Sequence, residues 1–327
     1  MVTKQPFGTT KDGAPVTAYT IANGRGISVT VLDYGATLQS VVLPCKGEKT
    51  DILLGYDSIA EYERNDGYLG ASIGRYAGRV PDSVLQIGND AFPVSANEGK
   101  NHLHGGFRGF DKRIWRAEAG FDAVTFTLRS EDGEEGYPGT LLCTAAFTLS
   151  RDALSIRYRG EADRDTAWNP TNHAYWNLNG HDAGDTRKHL LEIPADRYVP
   201  VGPDMIPTDG EEDVSGTRFD FRSLREIGDT YDNSFVLRGS PIRLWGNRNI
   251  GMEIRTTCTS VQLYNAKFLG DRSGKGGAHY SPYGAVCLET EGRQALRGVP
   301  IAEENVLARS RSGQERITKY RFIIQED

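Results

Sequence analysis

Along the chain, apolar residues recur at every second position in short runs. Ile27-Ser28-Val29-Thr30-Val31, Val124-Thr125-Phe126-Thr127-Leu128, Leu154-Ser155-Ile156-Arg157-Tyr158 and Tyr320-Arg321-Phe322-Ile323 all carry the pattern. That spacing sets alternate side chains on one face of an extended backbone, so each run predicts a strand with one buried face. Between the runs stand the turn dipeptides Asp12-Gly13, Asn23-Gly24, Asp132-Gly133, Asn179-Gly180 and Asp209-Gly210, residue types that tolerate the positive φ of tight β-turns. Helical signal is sparse. Ser58-Ile59-Ala60-Glu61-Tyr62 predicts one capped turn, with Ser58 as N-cap and Glu61 closing a capping box. Ser223-Leu224-Arg225-Glu226-Ile227 predicts a second. Strands and helices do not alternate as a parallel α/β sheet requires. The pattern predicts an all-β protein of antiparallel sheets.

Length and charge narrow the picture. A chain of 327 residues is longer than the ~150 residues of a common domain, but all-β sandwiches and barrels often run longer as one unit. With no low-complexity linker and no internal repeat, residues 1–327 are expected to form a single domain. Lys and Arg number 38 against 44 Asp and Glu, a formal net charge of −6 without a basic block. A nucleic-acid partner is therefore not expected. The first ten residues lack the apolar core of a secretory signal. Nowhere does an apolar run reach the ~18 residues of a membrane span, so no membrane partner is expected either. Cys45, Cys143, Cys258 and Cys287 are scattered without a C-x-x-C pair, which fits neither a zinc ribbon nor a disulfide scaffold. A reduced, cytoplasmic protein is the expectation.

Candidate chemistry gathers around a few residues. Histidine is scarce, six in all. His102 and His104, in Asn101-His102-Leu103-His104-Gly105-Gly106, would share a face if the segment is extended. No Asp, Glu or Cys stands at ligand spacing nearby, so a metal site is not indicated. The following Gly-Gly lets backbone approach a ligand closely. His104 reads either as a pocket wall or as a satisfied loop histidine. His173 lies among Asn169, Thr171, Asn172 and Asn177, where it is a general acid or a hydrogen-bonded structural histidine. His181, His189 and His279 have no polar cluster and read as surface or turn residues.

In Ala285-Val286-Cys287-Leu288-Glu289-Thr290-Glu291 an apolar strand carries carboxylates. Alternation places Glu289 on one face with Cys287 and Glu291, and like charge there would raise a pKa. Glu289 is a functional base or one half of a salt bridge. Arg75 and Arg79 form either a solvated basic turn or a fork for hydroxyls and carboxylates. Trp115, Trp176 and Trp245 fit a core or the face of a sugar. Ser273-Gly274-Lys275-Gly276-Gly277 has no Ser or Thr after its lysine and fails as a phosphate loop.

Five ordered blocks of the chain together resemble the aldose 1-epimerase (galactose mutarotase) family. They are Ile73-Gly74-Arg75-Tyr76-Ala77-Gly78-Arg79-Val80; Asn101 to Gly106 with Gly109-Phe110-Asp111-Lys112 and Trp115; Asp132 to Gly139; Thr171-Asn172-His173-Ala174-Tyr175-Trp176-Asn177-Leu178; and Cys287-Leu288-Glu289-Thr290. The resemblance implies a large antiparallel β-supersandwich with a sugar cleft. It also implies Glu289 as the base that takes the anomeric proton and His173 as the acid that protonates the ring oxygen. Arg79, His104, Asp232 and Gln262 would bind the sugar, and neither metal nor organic cofactor would be required.

Several positions depart from the family pattern: Gly78 where Asn is usual, Asn233 where His is common, Tyr264-Asn265-Ala266-Lys267-Phe268, and the stretch from Gly292 to Pro300. Lys267, Arg293 and Arg297 motivate an alternative, the same acid–base pair acting on a different, anionic substrate. A sugar-binding module without catalysis is a further alternative.

Overall fold

The computed structural model describes residues 1–64, 67–208, 210–239, 241–247, 249–307 and 313–325. Asp209 of the Asp209-Gly210 turn lies outside them. Three antiparallel sheets dominate. The first is a meander of five strands, Val2–Thr9, Pro15–Ala22, Ser28–Leu32, Thr37–Cys45 and Glu48–Asp51, each paired with the next. The second has nine strands. Arg116–Ala119, Ala123–Ser130, Leu141–Leu149 and Ala153–Ala162 run in sequence order, and the C-terminal strand Gln314–Ile324 joins them to Ile250–Thr256, Ile242–Trp245, Leu190–Glu192 and Arg225–Glu226. The third sheet orders Glu212–Asp213, Arg197–Val199, Asp232–Val236, Ser260–Tyr264 and Cys287–Glu291.

Alternation in the sequence becomes alternation in burial. Along Ala123–Ser130 the residues Val124, Phe126 and Leu128 turn inward while Thr125, Thr127 and Arg129 stay more exposed. The inward faces of all three sheets meet in one continuous core. Val29 and Leu38 come from the first sheet, Phe126, Phe147 and Ile254 from the second, and Phe235, Val261 and Leu288 from the third. The strand Cys287–Glu291 is buried along its whole length, as happens when a strand is covered on both faces.

One of the two expected helical turns forms. Ile59–Arg64 is an α-helix, and Glu61 accepts hydrogen bonds from the Ser58 backbone (3.0 Å) and hydroxyl (2.8 Å). Ser223–Ile227 does not form one. Arg225–Glu226 instead pairs with Leu190–Leu191 at the edge of the large sheet, and the Ile227 amide donates to His189 O at 3.0 Å. A single isolated turn fixes several dihedrals for one hydrogen bond, and an available sheet edge outcompetes it.

Candidate active site

The third sheet is two-sided in an unusual sense: one face belongs to the core and the other is polar yet buried. Gln262 pairs directly with Glu289 and with Ser234, while Asp232 pairs with Tyr264 and Tyr264 with Cys287. Residues directly opposite share a face, as do residues two apart. Asp232, Ser234, Gln262, Tyr264, Glu289 and Glu291 therefore lie on one side, and Phe235, Val261, Leu263 and Leu288 on the other. The polar side floors a cavity of about 380 Å³.

Loops from other parts of the chain complete the walls. Thr171–Asn172 pairs with Ser72–Ile73, and the next residue, His173, is pinned by its backbone: its amide donates to Ala71 O and its carbonyl accepts from Gly70 N, both at 2.9 Å. The imidazole stacks on Tyr175 (centroids 5.0 Å apart, planes 16° apart) and on Tyr68 (6.0 Å, 20°). His173 Nε2 stands 3.7 Å from Glu289 Oε1, and both side chains are buried.

Arg79 and His104 arrive together. His102–Leu103 pairs with Arg79–Val80, after which His104 adopts a positive φ of 51°. Its Nδ1 accepts from the Gly78 amide at 3.2 Å, which leaves the proton of the neutral ring on Nε2. The Arg79 fork grips Glu98 through two 2.7 Å bonds. Gln262 Nε2 donates to Asp232 Oδ1 at 2.6 Å. Arg79, His104, His173, Asp232, Gln262 and Glu289 all line the one cavity.

The positive φ at His104 overturns the expectation that His102 and His104 share a face. His102 turns into the protein, where its ring meets Ser95 O at 2.7 Å and the Tyr137 hydroxyl at 2.5 Å. Arg75 does not reach the cleft. Its buried guanidinium donates to Ser130 Oγ and to the carbonyls of Ser130, Glu131, Pro138 and Gly139, tying its own loop to the connection 130–139. Nor is His189 a surface residue: it is fully buried, with Nε2 accepting from the Leu178 amide at 3.0 Å. Trp115 and Trp176 are core. Lys275 is a structural cation, paired with Asp51 at 2.6 Å.

Aromatic residues of the cleft escaped the sequence reading. Tyr68, Tyr175, Tyr264 and Phe268 line it. Two of them carried a signal, since Tyr175 lies two residues after His173 and Tyr264 shares alternation with Gln262. Glu98 and Gln294, also in the lining, carried none. Two of the cations that motivated an anionic substrate are engaged outside the cleft lining, and the third stands over a ring that belongs to it. Arg293 faces Glu211 at 3.4 Å, Arg297 bridges Asp82 and Asp204, and Lys267 lies over the Phe268 ring at 5.4 Å.

Burial drives the electrostatics. Desolvation pulls His173 down to about 4 and pushes Glu289 well above the ordinary carboxylate range, helped by the like charges of Glu291 and Asp232. Between those limits the pair holds a single proton. His104 is also held neutral, chiefly by burial and then by His173 and Arg79. Asp232 is raised by burial and partly restored by Arg79. One donor atom each from His104, His173 and Glu289 lies within 4.8 Å of the others, the group among the described residues that could close on a metal ion. Spaced up to that distance, they are looser than the roughly 3.4 Å between ligand atoms around a tetrahedral zinc.

The cleft thus sets a buried imidazole and a buried carboxylate 3.7 Å apart on an all-β frame. The chain belongs to the aldose 1-epimerase family, whose profile matches residues 17–292. It is 37% identical over 302 residues to the aldose 1-epimerase of Escherichia coli K12, covering 86% of this chain and 87% of that one. Against the galactose mutarotase of Bos taurus it is 34% identical over 307 residues, covering 89% and 90%. The crystal structure of an aldose epimerase homologue from C. elegans superposes with a TM-score of 0.88 at 30% identity, covering 94% of this chain and 98% of that one. The fold is that of the galactose mutarotases and the protein is an isomerase.

Proposed function

We propose that the chain interconverts the α and β anomers of a free aldohexose, galactose or glucose first among them, with Glu289 as base and His173 as acid. The observation that carries this reading is the 3.7 Å between His173 Nε2 and Glu289 Oε1. In a pyranose the anomeric hydroxyl and the ring oxygen are bonded to the same carbon. Groups that serve those two oxygens must therefore be neighbours.

Glu289 takes the proton of the anomeric hydroxyl and His173 delivers one to the ring oxygen. The bond from C1 to the ring oxygen breaks as the C1 carbonyl forms. Rotation about C1–C2 presents the other carbonyl face, and the ring closes with the two groups exchanging roles. Burial favours the pair's proton on Glu289 at rest; opening proceeds from the form in which it has passed to His173 and closing from the form with it on Glu289, so one turnover leaves the enzyme's protonation unchanged. The cycle needs no metal or organic cofactor. Arg79, His104, Asp232 and Gln262 bind the hydroxyls and the carbonyl oxygen that develops.

The shared core of the three sheets supports residues 1–327 as a single domain. The four scattered cysteines, with no C-x-x-C pair among them, support a reducing, cytoplasmic setting. No helix among the described residues is long and apolar enough to cross a membrane.

Polarimetry of freshly dissolved α-D-galactose and α-D-glucose tests the reading, wild type beside Glu289→Gln. Acceleration of the optical change that the variant loses supports it. A folded wild type that binds sugar without accelerating the change returns the cleft to a binding role.

A further inference from the structure

Gln294 follows the strand Cys287–Glu291 in a stretch that departs from the family pattern, and its side chain folds back over the cleft floor. Its Nε2 donates to Gln262 Oε1 at 3.1 Å and to Glu291 Oε1 at 3.0 Å. An amide nitrogen has two hydrogens, so both are spent. Because Gln262 Oε1 accepts from Gln294, its Nε2 is left to donate to Asp232 at 2.6 Å. A chain of donors thus runs across the floor from Glu291 to Asp232 with a carboxylate at each end. Gly78 makes room for it: a Cβ there would come within 3.2 Å of the Gln294 amide nitrogen, at a φ of +77°.

Glu291 is fully buried and lies two residues from Glu289 on the same face. Arg316, on the strand Gln314–Ile324, is the cation facing it. That guanidinium already donates to Asn169 Oδ1, Asn305 Oδ1 and the carbonyls of Trp168 and Glu304. Asp232, Glu289, Tyr76 and Cys258 are the other titratable groups that face Glu291.

We propose that Gln294 is a positioning residue which holds Glu291 as a carboxylate beside the base, thereby setting the proton affinity of Glu289, and which fixes the amide of Gln262 for the sugar. The proposal rests on the reading of Glu289 as base. A hydrogen bond donated to a carboxylate favours its charged form, and a neighbouring like charge favours the neutral form of the next. Burial lifts Glu291 to about 7, with Gln294 and then Arg316 pulling against it, so the 3.0 Å bond from the Gln294 amide adds to the charge Glu291 carries over the neutral range. Charge on Glu291 makes Glu289 keep the pair's proton to higher pH.

The test measures kcat and KM for anomer exchange of α-D-galactose across pH in Glu291→Gln, Gln294→Met and the double variant, with thermal unfolding to verify the fold. Removing the like charge in Glu291→Gln moves the alkaline limb of kcat/KM down by about one pH unit. Gln294→Met moves it the same way by less, and the double variant goes no further than Glu291→Gln, because both act through one charge. KM rises several-fold in Gln294→Met and in the double variant, and stays near wild type in Glu291→Gln. Should Met crowd the floor, Gln294→Ala carries the same expectation. Unmoved limbs in folded variants, or shifts that add in the double variant, overturn the proposal. Activity surviving in Glu289→Gln overturns both the base and this inference, whereas an inactive Glu289→Gln with unmoved limbs overturns this inference alone.

Discussion

His173 is oriented by stacking rather than by a second hydrogen bond: its ring lies between Tyr68 and Tyr175, its Nε2 stands 3.7 Å from Glu289 Oε1, and its buried Nδ1 has no partner. A histidine held by flat contacts keeps both nitrogens free of a fixed tautomer. It can therefore carry the pair's proton or yield it without breaking another bond.

Two groups that act as a unit should fail together. Glu289→Gln and His173→Asn are each expected to lower kcat for anomer exchange by about 10²–10⁴. The double variant should lose little more than the worse single one. Stopped-flow polarimetry checks this, with circular dichroism to show that the fold persists. Losses that multiply in the double variant would mean that the two residues act independently.

The pH dependence follows from the single shared proton. Falling pH adds a second proton once His173, held at about 4, is protonated beside a neutral Glu289, and no base remains. Rising pH removes the only proton once Glu289, lifted well above its ordinary value, ionises, and no acid remains. The kcat/KM profile should be flat across neutrality, with its acid limb near the His173 value and its alkaline limb well above the ordinary carboxylate range. An acid limb near 6.5, the ordinary imidazole value, would contradict the buried pair.

Arg75 should matter to stability and not to chemistry. Arg75→Met leaves buried carbonyls of four residues and a serine hydroxyl without their donor. The expected cost is about 3–5 kcal/mol, read by urea unfolding. The KM of the protein that remains folded should match wild type.

Arg293 and Arg297 are half-exposed and paired with carboxylates outside the cleft lining. Exposed pairs contribute roughly 0–1 kcal/mol. Arg293→Ala and Arg297→Ala should leave stability and the kinetics for a neutral sugar within about twofold of wild type. A large KM change for a phosphorylated sugar alone would revive the anionic substrate.

Much of the frame was legible along the chain, because strand alternation is a local property. The runs at 124–128, 154–158 and 320–323 fall inside strands and the run at 27–31 enters one at Ser28, and the same alternation placed Glu289 and Glu291 on one face. The Ser58 cap was legible for the same reason, its partners being three residues apart. The helical turn expected at 223–227, which does not form, shows the limit: its fate depended on the edge at Leu190–Leu191, which no local pattern reveals.

What the sequence determined by itself is the class of fold, the alternating faces, and the blocks that mark the family with their histidine and glutamate. Only the tertiary structure decided which polar residues meet. One positive φ at His104 separates it from His102 and sends the two rings to different neighbours. Arg75 and Arg79, four apart, part company because one is enclosed by loops from 130–139 and the other opens on Glu98. Gln294 reaches Gln262 and Glu291 past Gly78, where a Cβ would press to within 3.2 Å of its amide nitrogen. Such contacts join residues far apart in the chain, and packing of three sheets around one core, not local preference, brings them within hydrogen-bond reach.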